Sequence, residues 1–488
     1  MHPNALRDQY SADEGYIKSS LGNFGHIQYG STILGQVIYP ENNKQGCLPF
    51  SKDDFKQLNG SDHSNLDHSQ IKPIIMVDRG LCTFVKKVRN IEDFGVKLAI
   101  IADDRDEYSE NLIMADDGNG HSITIPSFII YKKDADKIKD YLKKEQESHQ
   151  HQTNQTNQED SNAFTVVIRA DLEIAHSSNR VEYEMFYSSV LDLEHYFLED
   201  MIQYQQAFGN NTVFTPRIAS FHCKDCSKVM TQYDCIYDGM YCPLQSFTDI
   251  SLQLMDVPRA DVMEESLREK CLFDGLQRRL KGTKQENQAN LLFFQYLLAF
   301  QDQCFSKELF GEKCSLDAMY QVGIVWASEI AECVNSSTLV TDFMNKQISV
   351  NTFLQADRKR RDELGLVINP GFVINNMTYR GDIEATDIFR AVCAGFSTKP
   401  EICRSQNFAK IDGTEFGNGD QQVNVHSEDH IKINHVYAMV FVVLMINVGL
   451  LCLYRIYHKQ KVKTHLNMHV NSAVSQYFKI SSNDSFTN

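Results

Sequence analysis

Nineteen consecutive residues, VYAMVFVVLMINVGLLCLY at positions 436–454, carry no formal charge and are long enough to cross the hydrocarbon core of a bilayer. Asn447 is the one strongly polar residue among them, and a spanning helix tolerates a single amide. Charge on the flanks is lopsided. Glu428 and Asp429 stand before the run; Arg455, His458, Lys459, Lys461 and Lys463 follow it. Positive charge stays on the cytoplasmic side, so the large N-terminal part is expected to be lumenal and residues 455–488 a cytosolic tail. This is single-pass type I topology, and it divides the chain into a folded part of two or three units, a stem at 404–435, a transmembrane helix at 436–454 and the tail. Residues 1–19 contain no apolar signal-peptide core. The topology therefore requires a signal already removed or encoded upstream, or an apolar run that serves as its own signal-anchor. The first 19 residues are read as an unstructured leader.

Cysteine placement agrees with that division. Twelve of the thirteen cysteines precede the run: Cys47, Cys82, Cys223, Cys226, Cys235, Cys242, Cys271, Cys304, Cys314, Cys333, Cys393 and Cys403. An even dozen in a lumenal segment reads as a disulfide framework formed in an oxidising compartment. Five Asn-x-Ser/Thr sequons, at Asn59, Asn154, Asn210, Asn335 and Asn376, lie on the same side and are glycosylation candidates. The formal charge of −16 argues against a nucleic-acid partner, which calls for a clustered basic face. In the tail, Tyr477-Phe478-Lys479-Ile480 is a Tyr-x-x-hydrophobic signal of the kind a clathrin adaptor binds as an extended peptide.

Between residues 22 and 142 the chain alternates β-rich runs with turn signals. Strands are expected at 32–39, 74–77, 98–102, 124–130 and 164–170, with a helix at 83–94 whose Phe84, Val85, Val88, Ile91 and Phe94 recur at helical spacing. The polar stretch at 144–162 contains nothing that packs a core and reads as a solvated insertion. Farther on, 367–374 reads as a proline-led strand, Asn375-Asn376 as a hairpin turn, and 386–394 as a helix. That order resembles the C-terminal half of a thioredoxin-like fold, where the equivalent proline is cis. Residues from about 192 to 359 form a long helical, cysteine-bearing insertion. The fold class is multi-domain α/β: a β-rich module at 20–173, a thioredoxin-like module at 180–403, and one membrane helix.

Particular motifs carry a resemblance. Gly22-Asn23-Phe24-Gly25, Tyr29-Gly30, Tyr39-Pro40 and Gly46-Cys47 open the series, followed by Val77-Asp78-Arg79-Gly80-x-Cys82-x-Phe84, Ala99–Ala102 with Asp103, and Ile123 to Ser127. The second module adds Arg180 to Glu184, Phe214-Thr215-Pro216, Cys235-x-x-x-Gly239-x-Tyr241-Cys242-Pro243, Asn375-Asn376-x-x-Tyr379-Arg380-Gly381 and Ile388 to Phe396. In collinear order from 22 to 403, the chain resembles the plant vacuolar sorting receptors, whose first module is a protease-associated domain. The resemblance implies a receptor that binds soluble vacuolar or lysosomal cargo through a sorting peptide and moves between Golgi and endosomal (prevacuolar) membranes. In that family the Asp-Arg-Gly-x-Cys-x-Phe loop contributes to the cargo site, so Asp78, Arg79, Gly80, Cys82 and Phe84 are the cargo-binding candidates. Their chemistry suits the role: Arg79 offers a planar fork of donors, Gly80 admits a close backbone, and Cys82 can pin the loop through Cys47. The competing reading is that Arg79 braces the loop and Phe84 packs in the core. The family usually has a cysteine just before Gly-Asn-Phe-Gly, where this chain has Ser20. Its growth-factor-like, calcium-binding repeats are replaced here by a cysteine-free stem.

No catalytic Ser/His/Asp set, HExxH motif, carboxylate pair, metal-ligand cluster or cofactor motif stands out, and the chain is not expected to be an enzyme. The alternative is a membrane-tethered thiol oxidoreductase using Cys223-Lys-Asp-Cys226. A redox pair belongs after the first thioredoxin strand, however, and the residues there are YSSVLDLEHY, without cysteine. A ubiquitin ligase with a protease-associated domain would need a RING, which the tail cannot hold. If binding and release follow compartment pH, a titrating group such as His26 is required.

Overall fold

Six-stranded pairing around a parallel centre organises the first half of the chain. The computed structural model describes residues 3–55, 72–105, 113–152, 166–188, 193–224, 233–244 and 258–404, apart from 284, 308, 310, 344, 345 and 367. Helix α1 (Asn4–Arg7) and a 3₁₀ segment (Asp8–Asp13) lead into β1 (Ser19–Leu21), β2 (Ser31–Ile38), β3 (Lys72–Asp78), α2 (Phe84–Asp93), β4 (Ala99–Ala102), β5 (Ser127–Ile130), α3 (Lys132–Gln152) and β6 (Val167–Leu172). The sheet order is β1-β5-β4-β3-β2-β6, with β2 to β5 mutually parallel and β1 and β6 antiparallel at the edges. Parallel strands are covered on both faces, and β3 shows why its residues suit that position. Ile75 and Val77 enter a core with Val85, Val88 and Ile91 of α2; Ile74 and Met76 enter another with Ala135 and Ile138 of α3. Alternation at period two sends successive apolar side chains to opposite cores.

Two sequence expectations are corrected here. Residues 4–13 are not an unstructured leader: Leu6 and Tyr10 are buried in the α3-side core, and the Tyr10 hydroxyl donates to the Asp134 carbonyl at 2.7 Å. The polar stretch from 144 is not loop throughout, because α3 continues to Gln152. Its first turns are anchored by Ala135, Ile138 and Leu142, and a nucleated helix propagates into polar sequence at little further cost.

The second half begins with β7 (Val181–Tyr187), α4 (His195–Phe208), β8 (Thr212–Ile218), β9 (Ser220–Phe221) and β10 (Cys242–Pro243). Helices α5 (Arg259–Leu280), α6 (Glu286–Gln303), α7 (Glu312–Gln321) and α8 (Ala327–Ser336) follow, then the hairpin of β11 (Thr338–Phe343) and β12 (Lys346–Asn351). Helix α9 (Thr352–Glu363), β13 (Gly371–Ile374), β14 (Met377–Thr378) and α10 (Ala385–Ala394) complete the described chain. The main sheet runs β14-β13-β7-β8, with β7 parallel to β8 and antiparallel to β13. With α4 between its parallel strands and α10 after the hairpin, this is the thioredoxin-like order. The Asn369–Pro370 peptide is cis, and Asn375 and Asn376 turn the hairpin at φ +47° and +67°, which is what a two-residue hairpin turn requires. The insertion expected at about 192–359 begins later, because α4 and β8 belong to the scaffold. Tyr204 and Phe208 of α4 lie 4.5 and 4.9 Å from Phe389 of α10 within the scaffold, and Phe214 of β8 lies 4.8 Å from Phe294 of α6 in the insertion.

Five disulfides are seen among the described residues: Cys47–Cys82, Cys235–Cys242, Cys271–Cys333, Cys304–Cys314 and Cys393–Cys403. Cys223 is disulfide-bonded as well, to a partner that lies outside them. Cys226, Asn59, Asn154, most of the stem, the apolar run and the Tyr477–Ile480 signal lie outside the described residues. Among those described, no helix is long and apolar enough to cross a membrane.

Candidate functional site

The C-terminal ends of β2, β3 and β4 point the same way, and in open α/β sheets this is the end where ligands bind. Asp78 closes β3. Its carboxylate accepts from the Tyr39 hydroxyl at 2.7 Å and pairs with Lys139 of α3 at 2.6 Å. Arg79 follows, its amide bonded to the Ala102 carbonyl at the end of β4. Its Nη1 meets Asp103 at 2.8 Å, its Nε lies 3.6 Å from Asp104, and its guanidinium sits 5.7 Å from the centre of the Phe84 ring. Asp103 is almost fully buried. Burial pushes its carboxyl pKa up, but the Arg79 guanidinium, with Arg105 and the Asp104 amide, overrides that and holds it below the usual carboxylate range.

Gly80 adopts φ +110°, and a Cβ there would touch nothing within 4 Å. Glycine is required by the conformation, and its outer side is open. Leu81 also has a left-handed backbone, at φ +63°, and is 88% exposed. For a leucine that conformation costs about 1–2 kcal/mol. Cys82 is tied to Cys47 with Cα atoms 5.8 Å apart, and the residue after Cys47, Leu48, is 68% exposed. Thr83 then caps α2, its hydroxyl accepting from the Lys86 amide at 3.2 Å.

Two residues of α2 support this platform from beneath, and sequence reasoning missed both. Lys87 is completely buried, and its amine donates to the carbonyls of Gln45 at 2.5 Å and Gly80 at 2.6 Å. Asn90 donates to the Gly46 carbonyl at 2.8 Å. Burial pulls the Lys87 pKa down to about 8, with Asp78 acting in the opposite direction. The signal was available: Lys87 and Asn90 flank Val88 and Ile91 on the inward side of an amphipathic helix, where polar residues need a dedicated partner.

The five sequence candidates thus come together in one loop, with divided roles. Asp78, Gly80 and Cys82 shape it. Arg79 braces it against Asp103 and keeps 29% of its side chain in solvent. Phe84 packs against the α2-side core. The outward-facing apolar groups are instead Leu48 and Leu81, whose signal in the sequence was only their position beside the two bonded cysteines.

The thioredoxin-like half is organised differently at the place where that fold carries thiols. Ser188 follows β7, and its hydroxyl donates to the carbonyls of Ala219 at 2.6 Å and Leu244 at 3.2 Å. Asn369, which precedes the cis proline, donates to the same Leu244 carbonyl at 2.8 Å. The chain's own backbone after β10 therefore lies against the proline loop. Cys223 sits after β9, its amide bonded to the Gly239 carbonyl at 3.0 Å.

Comparisons with known proteins match this arrangement. Residues 33–138 match the PA domain family, and residues 181–393 match the family described as the vacuolar sorting receptor thioredoxin-like domain. Vacuolar-sorting receptor 1 of Pisum sativum is 27% identical over 414 residues, which is 81% of this chain and 59% of that protein. Vacuolar-sorting receptor 4 of Arabidopsis thaliana is 26% identical over 80% of the chain and 59% of its own length. Vacuolar-sorting receptor 6 of the same plant is 26% identical over 87% and 63%. The chain therefore spans about three fifths of the length of these relatives.

Proposed function

We propose, from the match of residues 181–393 to the vacuolar sorting receptor thioredoxin-like domain and the likeness to vacuolar-sorting receptors over about four fifths of the chain, that the protein is a cargo receptor of the secretory pathway. In this reading the first module holds a sorting peptide of soluble vacuolar or lysosomal proteins at the 78–84 loop. The apolar run at 436–454 anchors the receptor as a type I membrane protein, and Tyr477–Ile480 engages a clathrin adaptor for transport from the Golgi to an endosomal, prevacuolar membrane. No chemical step is involved. A receptor needs a pre-formed surface, because ordering a loop on binding subtracts from affinity.

The observation that carries the reading is the loop itself. It is held by a disulfide, a buried lysine and an arginine–aspartate pair, yet it turns exposed Leu81 and Leu48 toward solvent at the carboxyl end of a parallel sheet. A rigid support beneath an exposed apolar contact is costly to build for packing alone. The thiol-oxidoreductase alternative gains nothing from the fold, since the residues that follow β7, where the reactive thiol would be required, contain no cysteine.

The test is capture of vacuolar or lysosomal proenzymes by the purified full-length protein at neutral pH. Leu81→Glu changes a side chain that the fold does not use and is expected to reduce capture at least tenfold with unchanged thermal stability. Arg79→Ala is expected to reduce it as well. Undiminished capture by both variants removes the assignment of cargo to this loop.

A further inference from the structure

The two modules meet along a seam that the sequence does not announce. Tyr29 of the first module donates from its hydroxyl to the Arg380 carbonyl at 3.1 Å and accepts from the Arg380 amide at 3.0 Å. Its ring lies 5.5 Å from that of Tyr379. The Gly25 amide donates to the Asp382 carboxylate at 3.0 Å, and the Asp382 amide returns a bond to the Gly25 carbonyl at 3.2 Å. Gly381, at φ +109°, would bring a Cβ to 3.0 Å from that carbonyl, so only glycine permits the approach. At one end of the seam, His26 Nδ1 lies 2.5 Å from Asp387, a carboxylate on α10 with 1% exposure.

We propose that His26 and Asp387 form a proton-operated clasp that fastens the first module to the thioredoxin-like module as the medium acidifies. A buried carboxylate needs a cation or several donors. Besides His26, the charge near Asp387 is Arg390 at 3.4 Å on its own helix. Apart from Arg380, the other groups facing the site are acidic or uncharged. Asp382 and Glu384 lie close enough to act on His26; Asp116 acts on Asp382 from the first module, and Glu194 acts on Glu384. The phenols of Tyr29 and Tyr379 are buried, which pushes both well above their ordinary range, and Arg380 is a half-buried cation beside Tyr29. A protonated imidazole therefore enters a ring of carboxylates, and a neutral one leaves them facing each other.

The shifts agree in sign. The hydrogen bond to Asp387 raises the His26 pKa, against some opposition from burial; burial raises those of Asp382 and Glu384. Groups whose pKa is higher in the closed state contribute stability that is present at low pH and disappears as pH rises through the raised values. The clasp is closed below the unshifted histidine value of about 6.5 and opens above the raised one.

Hydrogen bonds run from the clasp toward the 78–84 loop. The His26 amide donates to the Ile123 carbonyl at 3.1 Å. The segment holding Ile123 is tied to α2 by Arg89 to Ser122 at 2.7 Å and by the Thr124 amide to Glu92 at 2.7 Å, and Asp117 bonds the capping Thr83. Regulation of that loop rests on the function proposed above; the clasp does not.

Hydrogen exchange of the full-length protein, without cargo, between pH 8 and pH 5.5 tests the clasp once rates are corrected for intrinsic pH dependence. Amides in 22–30 and 376–396 are expected to gain severalfold protection on acidification, because protonation stabilises the closed clasp over the open one. In His26→Gln the gain falls below about twofold, while α6 keeps its protection and reports an intact fold. Asp387→Asn gives the same loss. Protection that does not rise in the wild type, or that rises equally in His26→Gln, overturns the proposal. Because no cargo is present, that failure leaves the receptor reading standing, and failed cargo capture leaves the clasp standing.

Discussion

Lys87 is buried in the middle of α2 and places its ammonium 2.6 Å from the carbonyl of Gly80, on the loop that precedes the helix. The same group reaches Gln45 at 2.5 Å, so one amine spans both strands of chain that the Cys47–Cys82 disulfide joins. Replacing it by methionine keeps most of the volume, takes the side-chain donor from the Gln45 carbonyl and leaves the Gly80 carbonyl with the Cys82 amide at 2.9 Å. Lys87→Met is expected to cost about 1–3 kcal/mol, measured as a lower urea midpoint at unchanged slope. The pH dependence carries a distinct signature. A lysine held at about 8 rather than 10.5 disfavours its charged form when folded. It therefore adds stability as pH rises from about 8 toward 10.5, and that increment is lost as pH falls through 8. The difference in unfolding free energy between wild type and Lys87→Met should grow over that window. A constant difference contradicts the assignment.

The Cys47–Cys82 bridge closes a separation of 35 residues. Chain-entropy reasoning gives about 3–4 kcal/mol for a loop of that size. The double variant Cys47→Ser, Cys82→Ser should lose up to that amount in denaturant unfolding, and the exchange of amides at 79–83 should rise more than that of β7 or β13. Uniform loss across both modules would show that the bridge acts on the whole unit instead of the loop.

Arg79 and Asp103 form the remaining brace, and their pairing predicts a pH profile. Asp103 has a folded pKa below its unfolded value. Its contribution is thus complete above about pH 4 and is lost as pH falls through the lower folded value. Arg79→Ala leaves Arg105, 3.3 Å away, as the neighbouring cation. The expected penalty is about 1–3 kcal/mol at neutral pH, shrinking below pH 4 as Asp103 protonates in the variant. Arg79→Lys, which keeps charge but not the fork, should recover part of it.

Much of this fold was legible because its strands and helices repeat apolar residues with the correct period. Ile74 to Val77 alternate between two cores, Val85, Val88 and Ile91 stripe one helix face, and Pro370 with Asn375-Asn376 punctuates the thioredoxin-like hairpin. What escaped had weak or contrary local signals. Leu6 and Tyr10 are two apolar anchors in a polar stretch, too few to register as an element. The end of α3 has the composition of a linker and is helical by propagation. Lys87 signals its burial only through the helical phase that sets it beside Val88 and Ile91, and one of its two carbonyl partners, Gln45, comes from a loop 42 residues away. The His26–Asp387 contact joins residues 361 positions apart, and no local pattern encodes such a pairing.

Three sequons fall on described, exposed positions: Asn210 in the turn after α4, Asn335 near the end of α8, and Asn376 in the β13–β14 turn. They differ in how free the amide is to be modified. The Asn376 side-chain oxygen accepts from Arg360 at 2.8 Å, and that arginine also holds Glu184 at 2.6 Å. Asn210 accepts from the Asn287 amide at 3.0 Å through its side-chain oxygen. Asn335 sits on a helix, where an oligosaccharyltransferase, which takes an extended sequon, must act before the helix forms. If the chain enters the secretory pathway, all three asparagines should carry glycans attached during translocation, and each Asn→Gln variant should remove one endoglycosidase-sensitive step in gel mobility. Asn376→Gln should in addition loosen Arg360 and cost about 0.5–1.5 kcal/mol, the usual range for one lost hydrogen bond. A protein made in plant or animal cells with no endoglycosidase-sensitive shift would place these residues outside the lumen, and with them the whole receptor reading.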